Sequence, residues 1–167
     1  IAMSFQNQFT KTTTDANLME TVHHGSAEYP FRYYYENIAL FDFKCIDWHW
    51  HSELEFIYIE SGNVVFDIGT VHFELNEGNG IMINSKILHR LQSSSDAIIP
   101  NFLFQPSFIA PQDSLIYKKY INPVISSSLE YLVFQPDIPW QKKALEIIKT
   151  IIAVQETEFN REIIVSM

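Results

Sequence analysis

Within seven residues, His49-Trp50-His51-Ser52-Glu53-Leu54-Glu55, the chain places two imidazoles and the carboxylate of Glu55, and Gly62 follows. On an extended strand, side chains two apart share a face. His49 and His51 therefore point the same way, and Glu55 joins them if the chain continues or turns back. Imidazole and carboxylate together suit a divalent zinc, iron, nickel or manganese ion. His89 is a fourth candidate ligand. It comes after a glycine-bearing stretch, Gly78-Asn79-Gly80-Ile81-Met82-Ile83-Asn84.

The spacing His-x-His, three residues, Glu, six residues, Gly resembles the first cupin motif, and His49, His51, Glu55 and Gly62 match it position by position. The second cupin motif runs Gly, five residues, Pro, one residue, Gly, two residues, His. Gly78 and His89 fit it. Asn84 stands at the proline and Lys86 at the second glycine, and Phe43 replaces the glycine that precedes the first motif. Metal-dependent cupin enzymes keep those residues more strictly. The wording Trp50-His51-Ser52-Glu53-Leu54-Glu55-Phe56 and Ile83-Asn84-Ser85-Lys86-Ile87-Leu88-His89 is similar to the N-terminal sensor domain of AraC-type transcriptional regulators. That resemblance implies a double-stranded β-helix, or jelly-roll barrel, followed by C-terminal helices. It also implies an effector pocket in the barrel mouth, where the four groups converge, and dimerisation through a helix near the end.

The 167 residues suffice for one domain with a core; 47% hydrophobic and 14% aromatic content excludes a disordered chain. No apolar run is long enough to span a bilayer, and no signal peptide is expected at the start. Ile1-Ala2 read as a remnant ahead of a native Met3. Cys45 is the only cysteine, so no internal disulfide forms, and a cytoplasmic setting is the default. Cys45 is expected to fill core volume rather than do chemistry. Twenty acidic residues against 11 basic ones give a net charge of −9. That weighs against direct nucleic-acid binding, which needs cations to neutralise phosphates. No helix-turn-helix is evident, so any DNA-reading part is expected outside this chain.

Along the chain, residues 1–30 read as an arm, either a flexible terminus or a segment that closes over a ligand. Residues 31–110 have β texture: aromatic strand formers at 31–35 and 40–43, a strand at 56–60 stopped by Ser61-Gly62-Asn63, and a hairpin turning at Gly69-Thr70. Short strands follow at 81–83 and 88–91, and a longer one at 98–104. Residues 111–167 read as a helical segment for packing and dimerisation. A short helix is expected at 113–120, an extended piece at 131–134, and a long amphipathic helix starting near Asp137 and Pro139. Its stripe is Ala144, Ile148, Ile151, Ile152, Gln155 and Phe159, widened by Leu145 and Ile147. The apolar end at residues 163–167 reads as a truncation.

His49, His51, Glu55 and His89 are the candidate metal ligands, with zinc or nickel expected at no more than partial occupancy and no cofactor required. The same four can hydrogen-bond sugar hydroxyls or a carboxylate. Tyr34 and Trp50 join the ligand-binding candidates because either ring could stack on a sugar. Trp48 and Trp50 should face away from His49 and pack in the core. His23-His24 is expected to be a solvated pair, Glu53 to sit exposed at a bend, and His72 to face outward. There is no Gly-x-Ser-x-Gly, P-loop or dinucleotide fingerprint, so no catalytic residue is assigned. The leading expectation is an effector-sensing, homodimeric domain of an AraC-type regulator. It would bind a sugar or other polar metabolite and reach DNA only through a further domain. The alternatives are a stand-alone metal cupin isomerase or dioxygenase, and a sugar-binding module without a switch.

Overall fold

The computed structural model describes residues 9–155; the expectations for Ile1-Ala2, Phe159 and residues 163–167 lie outside them. Among the described residues the strands are β1 (Phe31–Asn37), β2 (Cys45–His49), β3 (Leu54–Tyr58), β4 (Asn63–Ile68), β5 (Val71–Asn76), β6 (Gly80–Ile83), β7 (His89–Gln92), β8 (Ile98–Phe104) and β9 (Tyr131–Phe134). The helices are α1 (Asn122–Ile125) and α2 (Pro139–Gln155). The strands form two sheets, in the orders β1-β8-β3-β6-β9 and β2-β7-β4-β5, and every named pairing is antiparallel. This is the mainly β, cupin-type architecture that the motifs imply.

Alternation along the strands makes the core. Val64, Phe66 and Ile68 of β4 face Ile57, Ile59, Ile81, Ile83 and Ile99 of the other sheet, and all eight are at most 1% exposed. The opposite face of the larger sheet carries Phe31, Phe56, Phe102 and Phe134, with Phe56 and Phe102 stacked at 5.3 Å. That face cannot stay wet, and α2 covers it with Leu145 and Ile148, each 4% exposed. Burying two such side chains stabilises by roughly 1.5–3 kcal/mol apiece. Gly80 permits the close approach, because a Cβ there would lie 2.8 Å from Leu145 Cδ2.

Two expectations are corrected, and of the two readings of the arm one is favoured. Residues 40–43 are not a strand: two 3-10 turns, Ile38–Leu40 and Asp42–Lys44, fill that stretch. Phe43 there adopts φ 58 and is fully exposed. The helix placed at 113–120 begins later, passes through a π-helical stretch at Tyr117–Ile121, and runs on into α1. The arm is packed from residue 9 rather than loose. Trp50 donates its backbone N–H to the Leu18 carbonyl at 3.0 Å and its indole N–H to the Asn17 carbonyl at 2.9 Å, while its own carbonyl accepts from the Glu20 N–H at 2.9 Å.

Candidate metal and ligand site

His49 ends β2, His89 opens β7, and the two stand directly opposite in the β2–β7 pairing. His51 follows two residues after His49, and Glu55 lies on β3. One donor atom from each of His49, His51, Glu55 and His89 lies within 4.8 Å of all the others, and all four residues are buried. The four predicted ligands are thus brought together.

Backbone carbonyls fix the imidazoles. Nδ1 of His49 donates to Asp47 O at 2.7 Å, Nδ1 of His51 to Glu53 O at 3.2 Å, and Nδ1 of His89 to Ile87 O at 2.8 Å. A carbonyl only accepts, so each Nδ1 carries the proton and each Nε2 is left for the cluster. Glu55 Oε2 lies 3.1 Å from Nε2 of both His51 and His89. Burial alone would raise Glu55, but those two contacts hold its carboxyl well below the usual range. His51 is shifted upward: burial opposes its charge, but the Glu55 hydrogen bond together with the charges of Glu55, Glu20 and Glu53 outweighs that. Burial, together with the neighbouring His89, pushes His49 down to about 3. Three oriented nitrogens and one carboxylate oxygen are a donor set that fits a divalent ion, and the carbonyl acceptors behind the rings are the usual outer support for such ligands.

The motif's departures have physical explanations. Lys86, at the position of the second motif's last glycine, has φ 64, and Phe43, at the glycine before the first motif, has φ 58. The backbone keeps the left-handed conformation that glycine favours although the residues have changed. Asn84, at the proline position, is 2% exposed and donates to Val124 O at 3.0 Å and Leu129 O at 2.7 Å, tying the loop to α1 and the segment after it. Lys86 N donates to His51 O at 2.7 Å, so this loop also braces the first motif. Gly62 itself has φ +83, and a Cβ there would lie 2.4 Å from Asp96 O.

Beside the cluster lies a cavity of about 50 Å³, walled by His49, His51, Glu55, Tyr34, Glu36 and Asn101 and closed by Thr12, Glu20, Val22 and His24 of the arm. Of the predicted ligand contacts, Tyr34 lines it. Trp50 does not line it and instead clamps the arm, because alternation turns it away from His49 and His51. His24 is not half of a solvated pair: it is 8% exposed, accepts a hydrogen bond from the Tyr34 hydroxyl on Nδ1 at 2.8 Å and donates from Nε2 to Glu20 at 2.8 Å. Glu53 is also buried rather than exposed, and accepts from Gln105 at 2.9 Å. His72 faces outward as expected, bonded to Asp67. Sequence reasoning missed Glu20, His24, Glu36 and Asn101. Strand parity with Tyr34 could have found Glu36; nothing local marks the other three.

The fold is that of a cupin-type barrel, and the cluster sits inside it. Residues 42–111 match the family described as AraC-like ligand binding domain. The chain is 32% identical over 140 residues to the uncharacterized HTH-type transcriptional regulator YdeC of Bacillus subtilis (strain 168), covering 82% of this chain and 47% of that protein. It therefore spans about half the length of the relative it matches. An apo ToxT variant from Vibrio cholerae strain SCE256 shares the fold with a TM-score of 0.54 and 9% identity, over 86% of this chain and 53% of that one. A cupin-2 domain containing protein from Shewanella frigidimarina NCIMB 400 aligns over 44% of this chain and 69% of its own, with 14% identity and a TM-score of 0.39. No described helix is long and apolar enough to cross a membrane.

Proposed function

We propose that this chain is the effector-sensing and dimerisation domain of an AraC-type transcriptional regulator, working in the cytoplasm. A small polar molecule enters the barrel and is held by His49, His51, Glu55 and His89, directly or through a bound zinc or nickel ion, with Tyr34 beside it. The observation that carries this reading is the buried four-donor cluster, three of whose members, His49, His51 and Glu55, line a cavity that the arm closes. A space of about 50 Å³ holds a few waters, whereas ligand pockets run to roughly 300–1,000 Å³. A sugar-sized effector therefore has to displace arm residues such as Thr12 and Val22. Since the arm is hydrogen-bonded to Trp50, occupancy of the barrel and placement of the arm are linked, as a switch needs. DNA is reached through a helix-turn-helix unit outside this chain, and two copies pair through α2.

The test is thermal unfolding of the 167-residue chain with zinc, nickel and a panel of monosaccharides, repeated with His89→Ala. Stabilisation by ligand that disappears in the variant supports the reading; no stabilisation by any of them sinks it. The intact four-donor set favours a second reading, a metal-dependent cupin isomerase or dioxygenase. A full equivalent of bound iron or manganese, with turnover of a small substrate, would select it.

A further inference from the structure

We propose that the barrel's ligand is a small hydroxylated amine, with its ammonium group on Glu36 and its hydroxyl end toward the histidine cluster. This rests on the reading that the cavity takes a small ligand, and it names that ligand's class.

Three carboxyl groups line the cavity, and their partners differ. Glu55 is met by His51 and His89 at 3.1 Å each, and Glu20 by His24 at 2.8 Å. Glu36 is met only by the neutral amide of Asn101, which donates to Oε2 at 2.9 Å; the described residues give it no cationic partner. Glu36 is 8% exposed and Asn101 3% exposed, so water does not solvate the group freely. Lys11, at the rim, is the sole Lys or Arg among the lining residues. The guanidinium of Arg32 lies 5.6 Å from the Tyr34 ring centre. A buried carboxylate without a counter-charge is unfavourable. Burial accordingly pushes Glu36 up to about 7, with Glu55 and Glu20 adding to the shift against the Asn101 hydrogen bond. An incoming ammonium supplies both the missing charge and a charge-assisted hydrogen bond. A neutral polyol supplies only the donor. An anion meets three carboxyl groups.

The sheet sets the length. Asn101 pairs with Tyr34 on one side and Ile57 on the other, and Glu55 precedes Ile57 by two residues on the same inward face. Diagonal neighbours of this kind are roughly 7–8 Å apart. A short carbon frame bridges the Glu36–Asn101 pair and the cluster.

The experiment uses the full chain and two matched sets of probes: 2-aminoethanol, ethylene glycol and glycolate, then glucosamine, glucose and glucuronate. Binding is followed by titration calorimetry and by the imidazole resonances of His49, His51 and His89. The expected result is that, in at least one set, the amine binds ten-fold or more tighter than its neutral and anionic partners. In Glu36→Gln, which keeps a group for Asn101 to bond, that preference should collapse while zinc uptake at the cluster stays unchanged. If the neutral or anionic members bind as well as the amine, or the preference survives in Glu36→Gln, the amine assignment falls and the ligand-pocket reading stands. If no probe moves the imidazole resonances, the assignment falls, and a failure of ligand stabilisation in the thermal test would take the pocket reading with it.

Discussion

His49 and His89, 40 residues apart in the chain, face each other across β2 and β7 with ring centres 4.2 Å apart. Two imidazoles that close, both tethered through Nδ1, leave paired nitrogen lone pairs that only a proton or a cation reconciles. Metal uptake is therefore expected to tighten as pH rises from 5 to about 7, since ligand protonation competes with the ion. His89→Ala should weaken zinc or nickel binding at least ten-fold at pH 7.5. Competition titration with a chelating dye measures both, and a pH-independent affinity would contradict the arrangement.

Glu36 makes stability depend on pH. Its folded value, about 7, lies above the ordinary 4.5, so between those limits the folded state holds a proton that the unfolded state has lost. Stability then falls as pH rises from about 4.5 to 7, by roughly 3 kcal/mol at most for this group. The neighbouring carboxyls of Glu55 and Glu20 act in the same direction on Glu36. Glu36→Gln should remove this slope and make the protein more stable than the parent at pH 8, as urea unfolding at several pH values would reveal. Equal slopes in the two proteins would contradict it.

Backbone conformation explains opposite outcomes at two motif positions. Gly62→Ala forces a Cβ against Asp96 O at a positive φ and should cost about 2 kcal/mol or more. Lys86→Gly, at φ 64, relieves left-handed strain and should stabilise by about 0.5–1 kcal/mol. Phe43→Gly should also stabilise, since the exposed ring gives up no packing. Chemical denaturation midpoints decide all three; a destabilised Lys86→Gly would show that its side chain contributes more than its backbone costs.

On α2 the apolar residues divide between two jobs. Ile148 is buried against the phenylalanine face and Ile147 is 56% exposed. Ile148→Ala should cost about 2–4 kcal/mol of stability. Ile147→Glu should leave folding intact, and, if α2 pairs with a second copy, raise the dimer dissociation constant at least ten-fold in sedimentation. An unchanged association state in Ile147→Glu would move the interface elsewhere.

The barrel was legible because two periodicities agree. Alternation put Val64, Phe66 and Ile68 on one face, and the spacing of His49, His51 and Glu55 survives directly as a shared inward face. The second motif was legible only in outline, since Lys86 holds a glycine-like backbone conformation behind a different side chain and Asn84 replaces the proline with side-chain hydrogen bonds. Residues 40–43 misled because their aromatic content favours strands, while the chain there has to turn from β1 into β2.

The sequence by itself determined the strand faces, the hairpin at Gly69, the amphipathic α2 and the identity of the four donors, because each depends on residues near one another in the chain. Only the tertiary structure decided that the arm lies over the cavity with His24 inside it. It alone made Trp50, already turned outward by alternation, the arm's anchor, and gave Glu36 an amide for a partner. Those outcomes depend on which segments meet across the barrel: Glu36 reaches Asn101 from 65 positions away, and no local propensity encodes such a meeting.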